Sequence, residues 1–284
     1  MVIILHNPLS KNRKSKRATK KLVDYFKAQQ TPFRLKSVLK IDDLNAYFTK
    51  RDDIKKVILV GGDGTINGFV NRIYDHLPLP FPIHLHKGGS GNDFLRTLTK
   101  ERPKEIPVMK LLHNGETQYF MNGTGMGMDA LIGMKVDQSP NKSQSRYFFA
   151  TLQTFFSYRP STLTVTLDGE TKTFEKAYFI TANNGQYFGG GMQIAPDATL
   201  NDPLLDVILV HGIKKLRLFF IFTTIYKGKH VHHTRYVYHQ KVRHVKASFT
   251  QGEVNQCDGE CFPDTTVLEA SASGKTIQFI PFEK

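Results

Sequence analysis

The stretch VILVGGDGTING, residues 57–68, decides how the chain is read. Val57–Val60 is a short apolar run, the signature of a buried strand, and it leads straight into Gly61, Gly62 and Gly64. Beyond them Ile66, Phe69, Val70, Ile73 and Tyr74 repeat at helical spacing, so a helix packed on one side is predicted from near Thr65. Without Cβ atoms such a backbone turns sharply and lets phosphate oxygens approach its N–H groups, and the helix N-terminus adds partial positive charge. Asp63 sits in the middle and repels phosphate by itself. Its expected role is to hold a divalent cation that bridges to phosphate, or to orient the loop. An ordinary strand–helix turn is the plainer reading, but two glycines would suffice for that.

Working outward, KGGSGNDF at 87–94 repeats the device: Gly88, Gly89 and Gly91 follow the apolar strand Pro82–His86, Ser90 offers a hydroxyl, and Asn92 and Asp93 suit the start of a helix. Two such turns after consecutive parallel strands fall at one sheet edge, where ligands of open α/β sheets bind. HNPLSK at 6–11 closes the first strand, Val2–His6, with a polar proline turn at that same edge. Neither a Walker A loop nor a G-x-G-x-x-G fingerprint occurs.

Strands and helices alternate through the first half. Helices are expected over Ser15–Gln30, with Ala18, Leu22, Tyr25 and Phe26 on one face, and over Ile41–Lys50, with Asp42 and Asp43 in the first turn. The pattern predicts an α/β N-terminal domain with a parallel sheet over 1–124. Later the periodicity becomes two. LTVTL at 163–167 turns at Asp168-Gly169 and returns through Thr171–Phe174, and strands follow at Tyr178–Ala182, Leu205–Val210, Val237–Ala247, Thr265–Ala270 and Thr276–Ile280. Helices are predicted near Arg146–Phe156 and at Lys214–Lys227. Residues 125–284 are therefore read as a C-terminal, mostly antiparallel β-sandwich domain, with a return of the last strand to the first domain left open.

The chain has 284 residues, 40% of them apolar, and a formal charge of +14. Eleven Lys or Arg face a single acid, Asp24, within residues 1–40. The excess favours anionic partners, yet no recognition-helix, RNA-binding or zinc motif points to nucleic acid. Cys257 and Cys261 alone make neither a zinc site nor a disulfide framework, which suits a reducing cytoplasm. The greasy run Leu216–Tyr226 falls short of the ~20 residues that span a bilayer. The basic, apolar helix at 214–227 is read as core-packed with a wet edge, contact with the inner membrane face being the other reading; His230, His232 and His233 are read as solvated. A sandwich edge would allow a homodimer.

GGDGT at 61–65 followed by GSGNDF at 89–94 resembles the catalytic domain of the diacylglycerol kinase family, especially its bacterial lipid kinases. NGTGMGMDA at 122–130, NNGQYFGGGMQIAPDATLNDPLLDV at 183–207 and DGE at 258–260 resemble its later motifs. The resemblance implies a first domain of the NAD kinase/phosphofructokinase kind and an ATP- and Mg²⁺-dependent kinase acting on a lipid hydroxyl at the membrane surface, diacylglycerol becoming phosphatidic acid. By matching position, Asn7, Pro8, Leu9, Ser10 and Lys11, then Gly61, Gly62, Asp63, Gly64, Thr65, Ile66, Asn67 and Gly68, then Ser90 and Asp93, are expected around ATP and its Mg²⁺. A structural Mg²⁺ is expected at Thr199, Asp202 and Leu204, although Pro203 stands where glycine is usual. Asp258 and Glu260 are expected to contain the catalytic base. The same tripeptide occurs at Asp168–Glu170, where it reads as a plain hairpin turn, and the residues alone do not separate the two copies. Two other functions stay open at this point: an NAD kinase-like enzyme acting on a nucleotide hydroxyl, and a non-enzymatic basic nucleotide-binding protein.

Overall fold

A computed structural model describes residues 1–8, 14–49, 53–89, 91–138 and 152–283. Leu9, Ser10, Lys11, Ser90 and residues 146–151 of a predicted helix lie outside the described residues.

β1 (Val2–His6), β2 (Phe33–Ser37), β3 (Lys56–Gly61), β4 (Ile83–Lys87) and the late β14 (Phe279–Pro281) form one parallel sheet in the order β14-β4-β3-β1-β2. Period-two alternation sends Ile3, Leu5, Val57 and Leu59 to one face and Val2, Ile4, Ile58 and Val60 to the other. The second set packs on Leu22 and Phe26 of α1 (Lys14–Ala28). The first meets α2 (Leu44–Thr49), α3 (Asp63–Ile73) and α4 (Asp93–Glu101), through Phe48, Ile66, Phe69, Val70, Ile73, Phe94 and Leu98. β2 escapes a sequence reading because it is an edge strand whose Arg34, Leu35 and Lys36 are exposed, so no buried period marks it. α2 starts later than expected, at Leu44, because Asp43 stays outside as its cap: Oδ1 accepts the Ala46 amide at 2.9 Å.

The second sheet contains β5 (Ile106–His113), β6 (Glu116–Phe120), β7 (Gly123–Gly127), β8 (Ser161–Leu167), β9 (Glu170–Asn183), β10 (Leu205–His211), β11 (Val237–Val242), β12 (His244–Cys257) and β13 (Glu260–Ile277), with all pairs antiparallel. The chain thus passes between the sheets before residue 124, since Ile106 already pairs in the second. β12 pairs with β8 through Val245–Phe249 and with β7 through Asn255–Cys257, while β9 pairs with both β7 and β8. This cycle folds the sheet around an apolar interior that includes Met126, Val165, Ile180, Val207 and Val245. The outer face, with Phe179, Ile208 and Val210, is covered by α5 (Met128–Gln138), α6 (residues 152–157) and α7 (Lys215–Thr223).

Three predicted strands are divided differently. The 237–247 run breaks at Arg243, because Asp168 accepts the amides of Arg243 and His244 and ends the β11 ladder there. The 265–270 and 276–280 runs are joined in β13, and only Phe279 onward crosses to the first sheet. Phe279, 1% exposed, stacks edge-on with Phe94 in the first core. Phe279→Ala is expected to cost about 3–5 kcal/mol, read as a lowered midpoint in urea unfolding.

Candidate active site

Both glycine turns end at the same edge of the parallel sheet and touch. The Gly88 amide donates to Gly61 O at 2.9 Å, and the Asp63 amide to Gly91 O at 3.2 Å. The contact requires glycine: a Cβ on Gly62 would stand 2.2 Å from Gly91 O, and one on Gly89 2.6 Å from Gly62 Cα. Asp63 locks the turns together. Its Oδ2 accepts the Asp93 amide at 2.9 Å and its Oδ1 the Phe94 amide at 3.1 Å, so a carboxylate from the start of α3 satisfies the free N-terminal amides of α4. Asp93 repeats the move one step further, its Oδ2 accepting the Gly190 amide at 2.7 Å. Its Oδ1 is buried without a hydrogen bond. Burial pushes Asp63 up to about 7, the Asp93 carboxylate adding to the rise and the two amides opposing it. Asp93 is likewise raised by burial, against the Gly190 amide.

The two copies of DGE are both tight hairpin turns with left-handed backbone, φ being 48° at Asp168 and 47° at Asp258. Their surroundings differ. Asp168 holds two exposed strand amides, whereas Asp258 points between the sheets. Asp258 Oδ1 accepts the amides of Asn122 and Gly123, each at 2.9 Å, and Oδ2 accepts the Met121 amide at 2.8 Å and Asn67 Nδ2 at 3.1 Å. Its pKa is raised by burial and pulled back by those donors. Glu260, one residue past the turn, is exposed. Asn67 and Asn71 of α3 also donate to Tyr119 O, at 2.9 and 2.8 Å, and cap the outer edge of β6.

A cavity of about 1080 Å³ connects these groups. Its polar end is lined by Asn7, Gly62, Asp63, Gly64, Thr65, Asn67, Asp93, Asp258 and Glu260, which the sequence singled out. Ile66 does not belong there: its side chain is in the hydrophobic core and its amide bonds Gly62 O. The expected metal loop is also elsewhere. Glu101 closes it, accepting Thr199 Oγ1 at 2.9 Å and the Leu200 amide at 2.8 Å, while Asp202 Oδ1 accepts the Leu204 amide at 3.0 Å. Among the described residues, no three acidic, His or Cys side chains cluster as a metal site.

The other end of the cavity is apolar, with Phe155, Phe179, Phe188, Met192, Phe219 and Phe222 on its walls. Their convergence on one wall went unread because they are scattered over four segments, α6, β9, the loop at 188–192 and α7. The helix predicted at 214–227 does more than pack on the core. Leu218 and Ile221 are buried, Phe219 and Phe222 face the cavity, and Leu216 and Phe220 remain 68% and 63% exposed. His230 corrects another expectation: it is buried, Nε2 meets Ile194 O at 2.9 Å, and burial lowers its pKa to about 4.

The diacylglycerol kinase catalytic domain family matches residues 1–123, and the YegS C-terminal NAD kinase beta sandwich-like domain matches residues 123–278. Among relatives, a diacylglycerol kinase of Mycobacterium tuberculosis is 27% identical over 192 residues, spanning 62% of this chain and 61% of that protein. A diacylglycerol kinase of Bacillus subtilis is 28% identical over 222 residues, spanning 72% of this chain and 70% of that protein. The matched stretch therefore covers less than two thirds of the mycobacterial relative. A crystal structure of a diacylglycerol kinase from Bacillus anthracis superposes with a TM-score of 0.62 at 18% identity, covering 99% of this chain and 97% of that one.

Gly62→Ala is expected to destabilise the fold by about 1–3 kcal/mol, because an added methyl drives the turns apart. Gly64→Ala, with nothing within 4 Å of its Cβ, is expected to leave the melting temperature nearly unchanged. Thermal melts of the two variants check this.

Proposed function

Because the chain belongs to the diacylglycerol kinase family, in the branch with a YegS-type β-sandwich, we propose that it transfers the γ-phosphoryl group of ATP to the hydroxyl of a membrane lipid. The observation that carries this reading is the single cavity with two characters. One end has glycine-lined backbone and two helix N-termini, and the other has phenylalanine walls, with Glu260 on the lining. Polar turns alone would suit any nucleotide-binding protein. The apolar end favours an acceptor with an acyl or alkyl chain over a nucleotide acceptor.

In this reading the triphosphate lies across Gly62–Thr65 and Gly89–Gly91, beside Asn7. Asp63 and Asp93 fit a Mg²⁺ completed by phosphate oxygens, since Mg²⁺ is commonly held by one or two carboxylates plus substrate phosphates. Asp93 Oδ1 is buried without a hydrogen bond, with Arg96 Nη1 3.7 Å away as its ion-pair partner, and the upward pressure of burial on both acids is what such an ion would relieve. When bound, the ion supplies positive charge against the phosphates. At Thr199–Leu204 the Asp202 carboxylate is engaged in its own turn and Glu101 already accepts from Thr199 and Leu200, so no step is routed there.

Glu260 is the better base of the two acids. Asp258 spends its oxygens on four donors that hold the turn, whereas Glu260 is exposed on the cavity lining. As the lipid hydroxyl oxygen bonds to the γ-phosphorus, the bond from that phosphorus to the β,γ-bridging oxygen breaks. The hydroxyl proton passes to Glu260, and ADP leaves. The protein's contribution is alignment and charge stabilisation rather than covalent chemistry. Among the described residues, no helix is long and apolar enough to cross a membrane. Exposed Leu216 and Phe220, beside Lys215 and Arg217, give α7 a surface suited to peripheral contact at an inner membrane face.

The test is phosphorylation of lipids in mixed micelles with radiolabelled ATP and Mg²⁺. Glu260→Gln is expected to lower kcat by about 10²–10⁴-fold while the Kd for ATP, measured by calorimetry, stays unchanged. Full turnover in that variant would remove Glu260 as the base. Asp258→Asn is expected to lower the melting temperature as well as kcat, since it breaks the seating of the turn.

A further inference from the structure

One short hairpin touches both ends of the cavity. Phe188 and Met192 pair across it, the Phe188 amide donating to Met192 O at 2.9 Å and the Met192 amide to Phe188 O at 3.0 Å. Its tip is Gly189, Gly190 and Gly191, all with left-handed backbone, φ being 57°, 85° and 111°. At the polar end the Gly190 amide donates to Asp93 Oδ2. Gly191 lies against Arg96 there, since a Cβ on it would stand 2.2 Å from Nη1. At the apolar end Phe188 and Met192 line the chamber, half-buried. Two residues therefore separate a wall of the lipid end from a donor that seats an acid of the phosphate end.

The hairpin is fastened on one side. Phe188 and Met192 pack on the apolar core that includes Ile194 and Ile225, and the Gln193 amide donates to Ile225 O at 3.1 Å, just beyond α7. Their other side meets the cavity. Three successive glycines have much conformational freedom to lose, so holding this tip on Asp93 is entropically costly. An acyl or alkyl chain in the chamber adds dispersion contacts to Phe188 and Met192 and favours the ordered hairpin. Asp93 gains from that order. The Gly190 amide fixes Oδ2 and with it the plane of the carboxylate, so Oδ1, which is buried without a hydrogen bond, keeps one position.

We propose that Phe188 and Met192 are positioning residues that couple the two substrates. A lipid chain against them orders the glycine tip, seats Asp93 and tightens the binding of Mg·ATP. The inference rests on the lipid-kinase reading and adds a dependence to it, since the nucleotide is gripped best once a chain occupies the apolar end. By linkage, the nucleotide tightens binding of the chain by the same factor. A donor held loosely until its acceptor arrives also loses less of its phosphate to water.

The experiment measures the Kd of a non-hydrolysable ATP analogue with Mg²⁺ by calorimetry, alone and with dioctanoylglycerol, diacetylglycerol or methyl octanoate. The wild type is expected to bind the analogue about five- to fiftyfold more tightly with dioctanoylglycerol, the usual range for coupled sites. Methyl octanoate, which has a chain and no hydroxyl, should tighten it as well. Diacetylglycerol, which has the hydroxyl and no long chain, should leave it within about twofold. Phe188→Ala and Met192→Ala should abolish the tightening at saturating lipid, and Met192→Leu, which conserves volume, should keep it. Phe219→Ala, elsewhere on the wall, should weaken lipid binding and leave the tightening intact. No tightening in the wild type, or tightening that survives both hairpin alanines, overturns the proposal.

Hydrogen exchange gives a second reading that needs neither a variant nor turnover. The Gly190 and Gly191 amides should exchange more slowly once methyl octanoate is added, and unchanged exchange overturns the proposal. The two readings also part this proposal from the kinase reading. Chain-dependent tightening upholds the coupling even where no lipid is phosphorylated. Lipid phosphorylation without any tightening leaves the kinase reading standing and sinks the coupling. If none of the chain-bearing probes binds, both fall.

Discussion

The carboxylate of Asp258 is the point on which the two sheets are aligned. It gathers three consecutive amides, Met121 to Gly123, where the chain passes from β6 to β7, and reaches Asn67 on the helix that follows the first glycine turn. Four donors around one half-buried acid fix distance and angle together, because each oxygen is directed by two partners. Asn67 and Asn71, one helical turn apart, extend the seam by holding Tyr119 at the edge of β6. Ile66, Phe69, Val70 and Ile73 anchor the opposite side of α3 in the core of the parallel sheet. One helix therefore reads the phosphate-side turn at its start and the β-sandwich along its flank.

A second constraint follows from the glycines. Gly62 and Gly89 bring two backbones closer than any side chain allows, and Asp63 then closes the gap by capping α4 in place of a local residue. Asp93 hands the same service to the Gly190 amide. Burial makes these acids costly to keep ionised, the Asp93 charge adding to the cost at Asp63, while the amides they bind, and Arg96 beside Asp93, oppose it. The arrangement stores a demand for positive charge at the edge of the sheet.

The cavity takes its second character from the helical cover of the β-sandwich. α7 divides its residues three ways, with Leu218 and Ile221 packed inward, Phe219 and Phe222 on the cavity wall, and Leu216 and Phe220 facing outward. A helix that served packing alone would bury its phenylalanines or carry polar residues outside. Phe155 makes edge contacts with both Phe219 and Phe222, so α6 and α7 form one aromatic wall between the outer surface and the cavity.

Local physics was enough to read the strand–glycine–helix turns at 57–68 and 87–94, the parallel sheet they imply and the switch to antiparallel hairpins, whereas Asp258 and Glu260 came only from the family resemblance. Those features depend on neighbours within a few residues, where apolar spacing and missing Cβ atoms leave direct marks. Edge strand β2 left no such mark, nor did the short β6. The buried state of His230 and the core placement of Ile66 also depend on distant partners. The two DGE turns show the limit most clearly. They share a tripeptide, a turn and nearly the same φ, yet one ties exposed strand amides and the other joins two sheets. Sequence alone determined that each is a turn. Only the tertiary structure decided which acid is enclosed, which is open, and that an apolar chamber meets the glycine turns, because those outcomes depend on what the rest of the chain brings within a few ångströms.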